Sequence, residues 1–215
     1  MENVEITDFG AKLCASELLD AKNAETIKSA ALSLEEEDER AWALAQIAKK
    51  LAQIGKWEEA EDLAATITLP YEKANAFIDT AKQLLSSNEF TRALKNLADA
   101  EIAAEIGQAS WFWQTAENFA RIGQALEDAN SHAEALRVWD KAIEVGRTGE
   151  EVPSHDREEC SSVLWRIAEY LALAGELEKA TSLASSIRTD RKRDQAVTTV
   201  ARIAGGDRNA GHKWY

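Results

Sequence analysis

Cysteine, proline and long apolar runs are scarce in this chain of 215 residues. Its two cysteines, Cys14 and Cys160, have no metal-ligand spacing, which favours a reduced, cytoplasmic setting. With two prolines against 39 alanines, the composition favours helix throughout. No uninterrupted apolar run approaches the roughly 18 residues of a membrane span, and the acidic N-terminus lacks the parts of a signal peptide. We therefore expect a cytoplasmic protein without a membrane partner.

Residues that carry catalysis are equally sparse. The sequence has three histidines, no Ser, His, Asp order and no glycine-rich phosphate loop. One local group of possible metal ligands comprises His155, Asp156, Glu158, Glu159 and Cys160, but the helix macrodipole alone favours carboxylates where a loop enters a helix. No second His or Cys lies near enough in sequence to complete a site. We expect no enzyme, no cofactor and no metal.

Positive charge is the minority charge, and the formal net charge is −13. Because such a chain would repel phosphates, a nucleic-acid partner is not expected. The charge is uneven: residues 188–215 hold seven Lys or Arg against three Asp, whereas residues 35–39 read EEEDE. A charge run is usually a solvated loop. An alternative is a homo-oligomer in which stretch 35–40 of one copy pairs head to tail with stretch 188–193 of another.

What the sequence does contain is an internal repeat. IAKKLAQIGKWEEAEDLA at 47–64 returns as IAEYLALAGELEKATSLA at 167–184, with nine of eighteen positions identical. Related apolar patterns define five units, 33, 33, 42 and 45 residues apart. Two sets of apolar residues at spacings of three and four predict two helices in each unit. Between them stands a residue type suited to the left-handed conformation that ends a helix: Asn23, Gly55, Asn88, Asn130 or Gly175.

The order Ala48, Leu51, Gly55, Ala60 resembles the tetratricopeptide repeat, and the same order recurs 120 residues later. The repeats are degenerate, since the family's proline at the unit end is absent. The resemblance implies an all-α, right-handed superhelix of about five helical hairpins whose first helices line a concave groove. It also implies one domain over residues 1–204. A HEAT-like two-helix repeat stays an alternative.

The end of the chain predicts a capping helix and a tail. Residues 190–204 have the pattern of one more first helix, which would cover the last apolar face of a solenoid. Asp190 is its expected N-cap. Residues 205–215 are expected to form a flexible C-terminal tail. The expected buried side of the capping helix comprises Val197, Val200, Ala201 and Ala204.

Two stretches account for the longer units, and two further features are local. Residues 99–113 keep helical spacing, which predicts an extended second helix. Residues 145–157 contain two Gly and a Pro and predict a surface loop. Ser131 and Glu134 have the spacing of a capping box at a helix start. In the triplet Trp111, Phe112, Trp113 at least one ring should be exposed, because adjacent helical residues lie about 100° apart.

The tetratricopeptide register implies which side chains reach the groove. Rigid rings with nearby cations suit peptide recognition. For Trp42 and Trp165, groove and core stay equally open. The carboxylate clamp of chaperone-binding members is missing.

We expect a non-enzymatic protein–protein interaction module that acts as a scaffold, an adaptor or a chaperone-like protein. The alternatives are a self-assembling structural protein and an enzyme with an unrecognised site. The expected partner surface comprises Trp42, Lys49, Asn75, Lys82, Trp113, Glu117, Arg121, Trp165, Arg166 and Glu169.

Overall fold

The computed structural model describes residues 24–107, 111–152 and 157–207, and every regular element in these ranges is an α-helix. The predicted all-α class is confirmed. The predicted first bend at Asn23 and also Cys14 lie outside the described residues. Of the helices that can be described, none is long and apolar enough to cross a membrane. The helices in chain order are α1 (Ala24–Leu32), α2 (Glu37–Gln53), α3 (Trp57–Thr66), α4 (Pro70–Ser86), α5 (Phe90–Gly107), α6 (Phe112–Asp128), α7 (His132–Glu151), α8 (Arg157–Leu173), α9 (Leu177–Ser186) and α10 (Asp190–Ala204).

The chain divides into two compact units, residues 1–103 and 104–215. In the first unit, α2 packs against α1, α3 and α4, and α3 packs against α4. In the second, α6 packs against α7 and α8, while α8 also packs against α7, α9 and α10. The first helices α2, α4, α6 and α8 are each followed by a second helix, and neighbouring first helices pack within a unit, as in stacked hairpins. The single domain over residues 1–204 stays a prediction.

The bends between the helices of a hairpin have the predicted left-handed backbone. Gly55, Asn88, Asn130 and Gly175 have φ angles of 78°, 62°, 58° and 92°. The backbone N–H that follows each of them donates to the carbonyl oxygen five positions earlier, over 2.8–2.9 Å. This is the hydrogen bond of a Schellman turn, which satisfies a carbonyl that the ending helix leaves free. The residue types at the bends are therefore set by the backbone conformation.

Small side chains stand where the helices approach most closely. Each recurring alanine of the repeat is completely buried. The surrounding core consists of larger residues at the same helical spacing, such as Ile47, Leu84 and Leu171. Because alanine adds little volume, two helices can approach closely at these points. The buried alanines that recur in register are Ala48, Ala60, Ala81, Ala93, Ala168 and Ala180.

The loop predicted for residues 145–157 is wrong over its first half, because α7 continues to Glu151. Its glycines lie inside the helix and allow close packing against α8. A Cβ at Gly146 would lie 2.9 Å from Leu164, and a Cβ at Gly149 would lie 2.4 Å from the Sγ of Cys160. The glycines are there for helix contact, not for a turn. By contrast, the predicted extension of the second helix in unit three is confirmed as far as Gly107.

The capping helix is confirmed with its predicted bounds, but its buried side differs. Val200 is buried, whereas Val197, Ala201 and Ala204 are exposed. The buried positions are Ala196, Thr199, Val200 and Ile203. Packing against both α8 and α9 turns the helix by about one residue, or about 100°, from the predicted orientation.

One predicted N-cap is wrong, and the other is confirmed without its predicted capping box. The N-cap of α10 is Thr189, so Asp190 is the first helical residue. Ser131 is the N-cap of α7, but its side chain makes no cap hydrogen bond, so the capping box is not formed. Glu134 instead accepts a hydrogen bond of 2.7 Å from Arg137. Both carboxylates still lie in a first turn, where the helix dipole favours them.

Candidate functional site

Five polar side chains on the first helices α6 and α8 form the α6–α8 charged cluster: Glu117, Arg121, Arg166, Glu169 and Tyr170. Glu117 and Arg121 are four residues apart on α6, and Arg166 and Tyr170 are four apart on α8. That spacing places each pair on one side of its helix. Since α6 packs directly against α8, the two pairs meet. The structure therefore brings four of the ten predicted site residues together.

The centre of the cluster is an ion pair between the two helices. Arg166 Nη1 donates a hydrogen bond to Glu117 Oε1, and each side chain is only 15% exposed. A pair this far removed from water is screened less than a surface pair. Loss of one partner would leave the other charge poorly solvated, which is strongly destabilising. The pair therefore holds both side chains in one orientation.

Tyr170 lies beside this pair and was missed by the sequence reasoning. Burial raises the pKa of its phenol to about 12; Glu117 and Glu169 act in the same direction, and Arg166 and Arg121 oppose them. The phenol is therefore protonated at neutral pH and can donate a hydrogen bond. Its spacing of four from Arg166 is the one signal in the sequence that could have identified it.

A buried aromatic ring packs against the cluster. The ring of Trp139, from the second helix α7, stacks on Tyr170 with centroids 6.1 Å apart. Trp139 is completely buried, and its Nε1 donates to the carbonyl oxygen of Ala120 over 3.2 Å. Space for the indole exists because residue 123 is glycine: a Cβ there would lie 2.4 Å from the ring. Gly123 and Trp139 thus fix the position of Tyr170.

Two predicted partner-binding residues are buried and therefore contact the protein's own interior. Glu169, a member of the charged cluster, is only 2% exposed. Trp165 is in the core between α8 and α10, where its Nε1 donates to Thr199 Oγ1 over 3.3 Å. Lys192 Nζ lies 5.7 Å from the centroid of the Trp165 ring, in position for a cation–π contact. The sequence left open whether Trp165 lies in the groove or in the core, and the structure places it in the core.

The other predicted residues of the first unit lie on α2 and α4. Trp42, Lys49, Asn75 and Lys82 are all half-buried. Lys49 Nζ lies 3.4 Å from Asp79 Oδ2, an ion pair that joins the two first helices. The first helices of the first unit thus also carry an aromatic ring and cations. In the second unit, Trp113 is half-buried near the start of α6, and its neighbour Trp111 is exposed, as expected for the aromatic triplet.

A buried carboxylate lies in the stretch that was predicted to be a loop. Glu150 is almost completely buried near the end of α7. Its Oε1 accepts hydrogen bonds from Ser161 Oγ and from the backbone N–H of Arg188, the latter over 3.2 Å. Ser161 Oγ lies 2.8 Å from Thr189 Oγ1. One carboxylate thus connects α7, α8 and the turn before α10, and buried polar groups need such partners.

His132 joins two consecutive bends of the second unit. Its Nδ1 lies 2.8 Å from Glu127 Oε2, and its Nε2 lies 3.4 Å from Glu176 Oε1. The hydrogen bond with Glu127 is the main reason that the pKa of His132 is raised, and Glu176 adds to it. Only the imidazolium can donate to both carboxylates, because a neutral imidazole has a single N–H.

The residues considered as metal ligands do not form a site where they can be described. Glu158 and Glu159 are exposed in the first turn of α8, and Cys160 is buried against Gly149. His155 and Asp156 lie outside the described residues. Across the described ranges, no group of three or more His, Cys, Asp or Glu is arranged to hold a metal ion.

Comparison of the chain with models of known families, with curated proteins and with solved structures found no match. The tetratricopeptide resemblance stays a prediction that depends on the repeated residues.

Proposed function

We propose that this protein is a non-enzymatic, cytoplasmic interaction module that holds a peptide or a protein surface on its first helices, in the manner of a tetratricopeptide protein. The observation that carries the proposal is the α6–α8 charged cluster. It presents Arg121, Arg166 and Glu117 together on adjacent first helices, next to a phenol that can donate.

Preorganisation is the physical reason to regard this cluster as a binding surface. Binding costs entropy when long side chains must be ordered, about 0.5–1.5 kcal/mol for each. The Glu117–Arg166 pair is already ordered, and Tyr170 is fixed on Trp139. A partner that binds this ordered surface would lose less side-chain entropy. Arg and Tyr are also the residue types that dominate the energetics of protein interfaces.

The chemistry of the cluster favours binding over catalysis. A general base works best with a pKa near the operating pH. The phenol of Tyr170, with its pKa raised to about 12, is far from that range. Glu117 is already hydrogen-bonded to Arg166. These groups suit recognition of a partner's charges and hydrogen-bonding groups.

The contacts that the basic stretch 188–193 makes within the chain argue against the head-to-tail alternative. Arg188 Nη2 lies 2.8 Å from Glu151 Oε1, and Arg193 Nη2 lies 2.6 Å from Asp190 Oδ1. Lys192 stands over the buried Trp165. Three of its cations are thus engaged within the chain, so pairing with another copy would exchange existing contacts rather than add new ones.

The experiment uses a display library of random peptides, selected against the full chain. Enriched peptides are then measured against the double swap Glu117→Arg with Arg166→Glu, which keeps an ion pair but reverses its direction. The control exchanges Glu105 and Lys141, a pair that joins the second helices α5 and α7. We expect the first swap to weaken binding at least about tenfold, or about 1.4 kcal/mol, and the control to leave it unchanged.

Two results would contradict the proposal. One is that no peptide is enriched by a chain whose circular dichroism shows it to be folded. The other is that enriched peptides bind both swapped variants as tightly as the original chain, since the cluster would then not be the contact surface.

A further inference from the structure

The last described helix, α10, ends in the same kind of bend as the first helices of the complete hairpins. Gly206 has a φ of 95°, and the backbone N–H of Asp207 donates to the carbonyl oxygen of Arg202 over 3.0 Å. Four other bends have this conformation and this hydrogen bond, and a second helix begins two residues after each of them: Gly55, Asn88, Asn130 and Gly175. The backbone at Gly206 thus turns as it does before a second helix, which would begin here at residue 208.

The sequence after this bend keeps the register of a second helix. Asp207 stands one residue after the bend, at the N-cap position of α3, α7 and α9, and Asp is among the residue types preferred there. Five residues after its bend each of the four second helices has a completely buried alanine, and eight residues after it a larger buried side chain. The chain has Gly211 and Trp214 at these two places. Residues 208–215 therefore carry a small and a large side chain where a second helix contacts its neighbours.

A groove on α9 lies on the flank where the next second helix of a solenoid would pack. The opposite flank of α9 faces α7, because Lys179 Nζ lies 3.5 Å from Asp140 Oδ2. The groove has a volume of about 510 Å³, and Leu177 at its end is 39% exposed. The α9 residues that line it are Leu177, Glu178, Thr181, Ser182 and Ser185.

In the first unit, the same flank of a second helix is covered by the next second helix. Glu61 on α3 and Thr181 on α9 are 120 residues apart and have the same place in the two copies of the repeat. Glu61 is half-buried, and its Oε1 accepts a hydrogen bond of 2.7 Å from Asn96 Nδ2 of α5, whereas Thr181 is exposed. Asn96 stands eight residues after its bend, which is the place of Trp214 at the end of the chain.

From these observations we infer that residues 208–215 form the second helix of a sixth hairpin and dock in the groove on α9, with the ring of Trp214 over Thr181 and Leu177. Eight helical residues extend about 12 Å, which is enough to bring Trp214 along the groove. A tryptophan side chain brings about 150–250 Å² of surface to such a contact. The sequence pattern had predicted a flexible tail for these residues, and the inference replaces it with an ordered helix.

The occupant is this segment rather than a second copy of the chain. The segment is joined to α10, which itself packs against α9, so its effective concentration at the groove is high. The inference does not depend on the proposed peptide-binding function, because the groove is on the second helix α9 and the charged cluster is on the first helices α6 and α8.

The first test measures backbone order parameters of the full chain by nuclear magnetic resonance relaxation. Residues 211–214 should have values of about 0.85 if they are docked, and below about 0.6 if they are not. Leu177→Lys should lower the values by placing a charge in the groove. The matched control is Leu94→Lys, at a position 38% exposed on α5 of the first unit, and it should leave them unchanged. Circular dichroism verifies that both variants fold.

The second test locates the segment on α9 by crosslinking. Ala210 stands four residues after its bend, the place from which Arg92 on α5 contacts Glu61 on α3. A short bismaleimide should therefore join Thr181→Cys to Ala210→Cys within one chain. The control pair is Lys179→Cys with Ala210→Cys, and it should react at least about tenfold more slowly, since Lys179 is on the flank that faces α7.

Both cysteine pairs are made in a Cys14→Ser chain, in which the remaining native thiol, Cys160, is buried. Order parameters below about 0.6 in the original chain would overturn the inference, because the segment would then not be docked. Order that survives Leu177→Lys, or equal reaction of the two cysteine pairs, would also overturn it, because the segment would then lie elsewhere. A crosslink between two chains, or order that is lost on dilution, would make a second copy the occupant and refute docking within one chain.

Discussion

Replacement of Gly123 by alanine tests whether α6 packs tightly against Trp139, the buried ring that contacts the charged cluster. A Cβ at this position would lie 2.4 Å from both Cδ1 and Nε1 of Trp139. The indole is completely buried, stacked on Tyr170 and hydrogen-bonded to Ala120, so it cannot move away without losing contacts. Alanine gains about 1 kcal/mol over glycine in a helix interior, whereas overpacking a core costs about 1–3 kcal/mol. With the upper end of that cost, for a rigid ring at this distance, we expect a net destabilisation of about 2 kcal/mol.

The assay is urea unfolding followed by far-ultraviolet circular dichroism. With a urea dependence of about 2 kcal/mol per molar, the midpoint should fall by about 1 M. The double variant Gly123→Ala with Trp139→Phe supplies the control, because the smaller ring lacks Nε1, one of the two atoms nearest to the added Cβ. In the Trp139→Phe background, the loss of unfolding free energy caused by Gly123→Ala should be smaller by at least about 1 kcal/mol than in the original chain. A Gly123→Ala variant that is as stable as the original chain, or that shows no coupling to residue 139, would refute the reasoning.

Three further predictions concern the bends and the ion pairs. Asn130→Ala should lower the free energy of unfolding by about 1 kcal/mol, because its φ of 58° suits Asn better than Ala, and Asn130→Gly should not; thermal unfolding compares them. Burial by itself would raise the pKa of Glu61, but hydrogen bonds from Arg92 and Asn96 lower it below its ordinary 4.5. The stabilisation that Glu61→Gln removes, about 1 kcal/mol after solvent screening, should therefore be present at neutral pH and vanish as the pH falls through the lowered pKa. For His132, whose pKa is raised above 6.5, the pH dependence has the opposite sign. The extra stability of the original chain over His132→Gln should be fully present below pH 6.5 and should be lost as the pH rises through the raised pKa. Urea unfolding repeated across that pH range measures this difference.

The bends could be read from the sequence because their causes are local. Gly55 and Asn88 stand where the backbone must be left-handed, and few other residue types tolerate that conformation. The same reasoning misread Gly146 and Gly149, since a glycine also serves where another helix comes close. Which of the two uses applies depends on the neighbour, here Leu164 for Gly146, and that neighbour is distant in sequence.

The candidate site was predictable only in part. The repeat register selected Glu117 and Arg166, and the structure joins them. The same register selected Trp165, which the structure buries between two helices. Tyr170 and Trp139 were not selected, because a ring at a helical position shows the same spacing whether it lies under a functional surface or inside the core.

The sequence by itself determined the helices and the left-handed bends between them. These features depend on backbone preferences and on a period of 3.6 residues, which operate over a few neighbouring positions. Only the tertiary structure decided which side of α10 is buried, that Glu150 is enclosed, and that Glu117 meets Arg166 across 49 residues of chain. The physical reason is that burial and ion pairing depend on which helices pack together and on their rotation. A change of one residue, about 100° around the helix, exchanges core for surface without altering the local pattern.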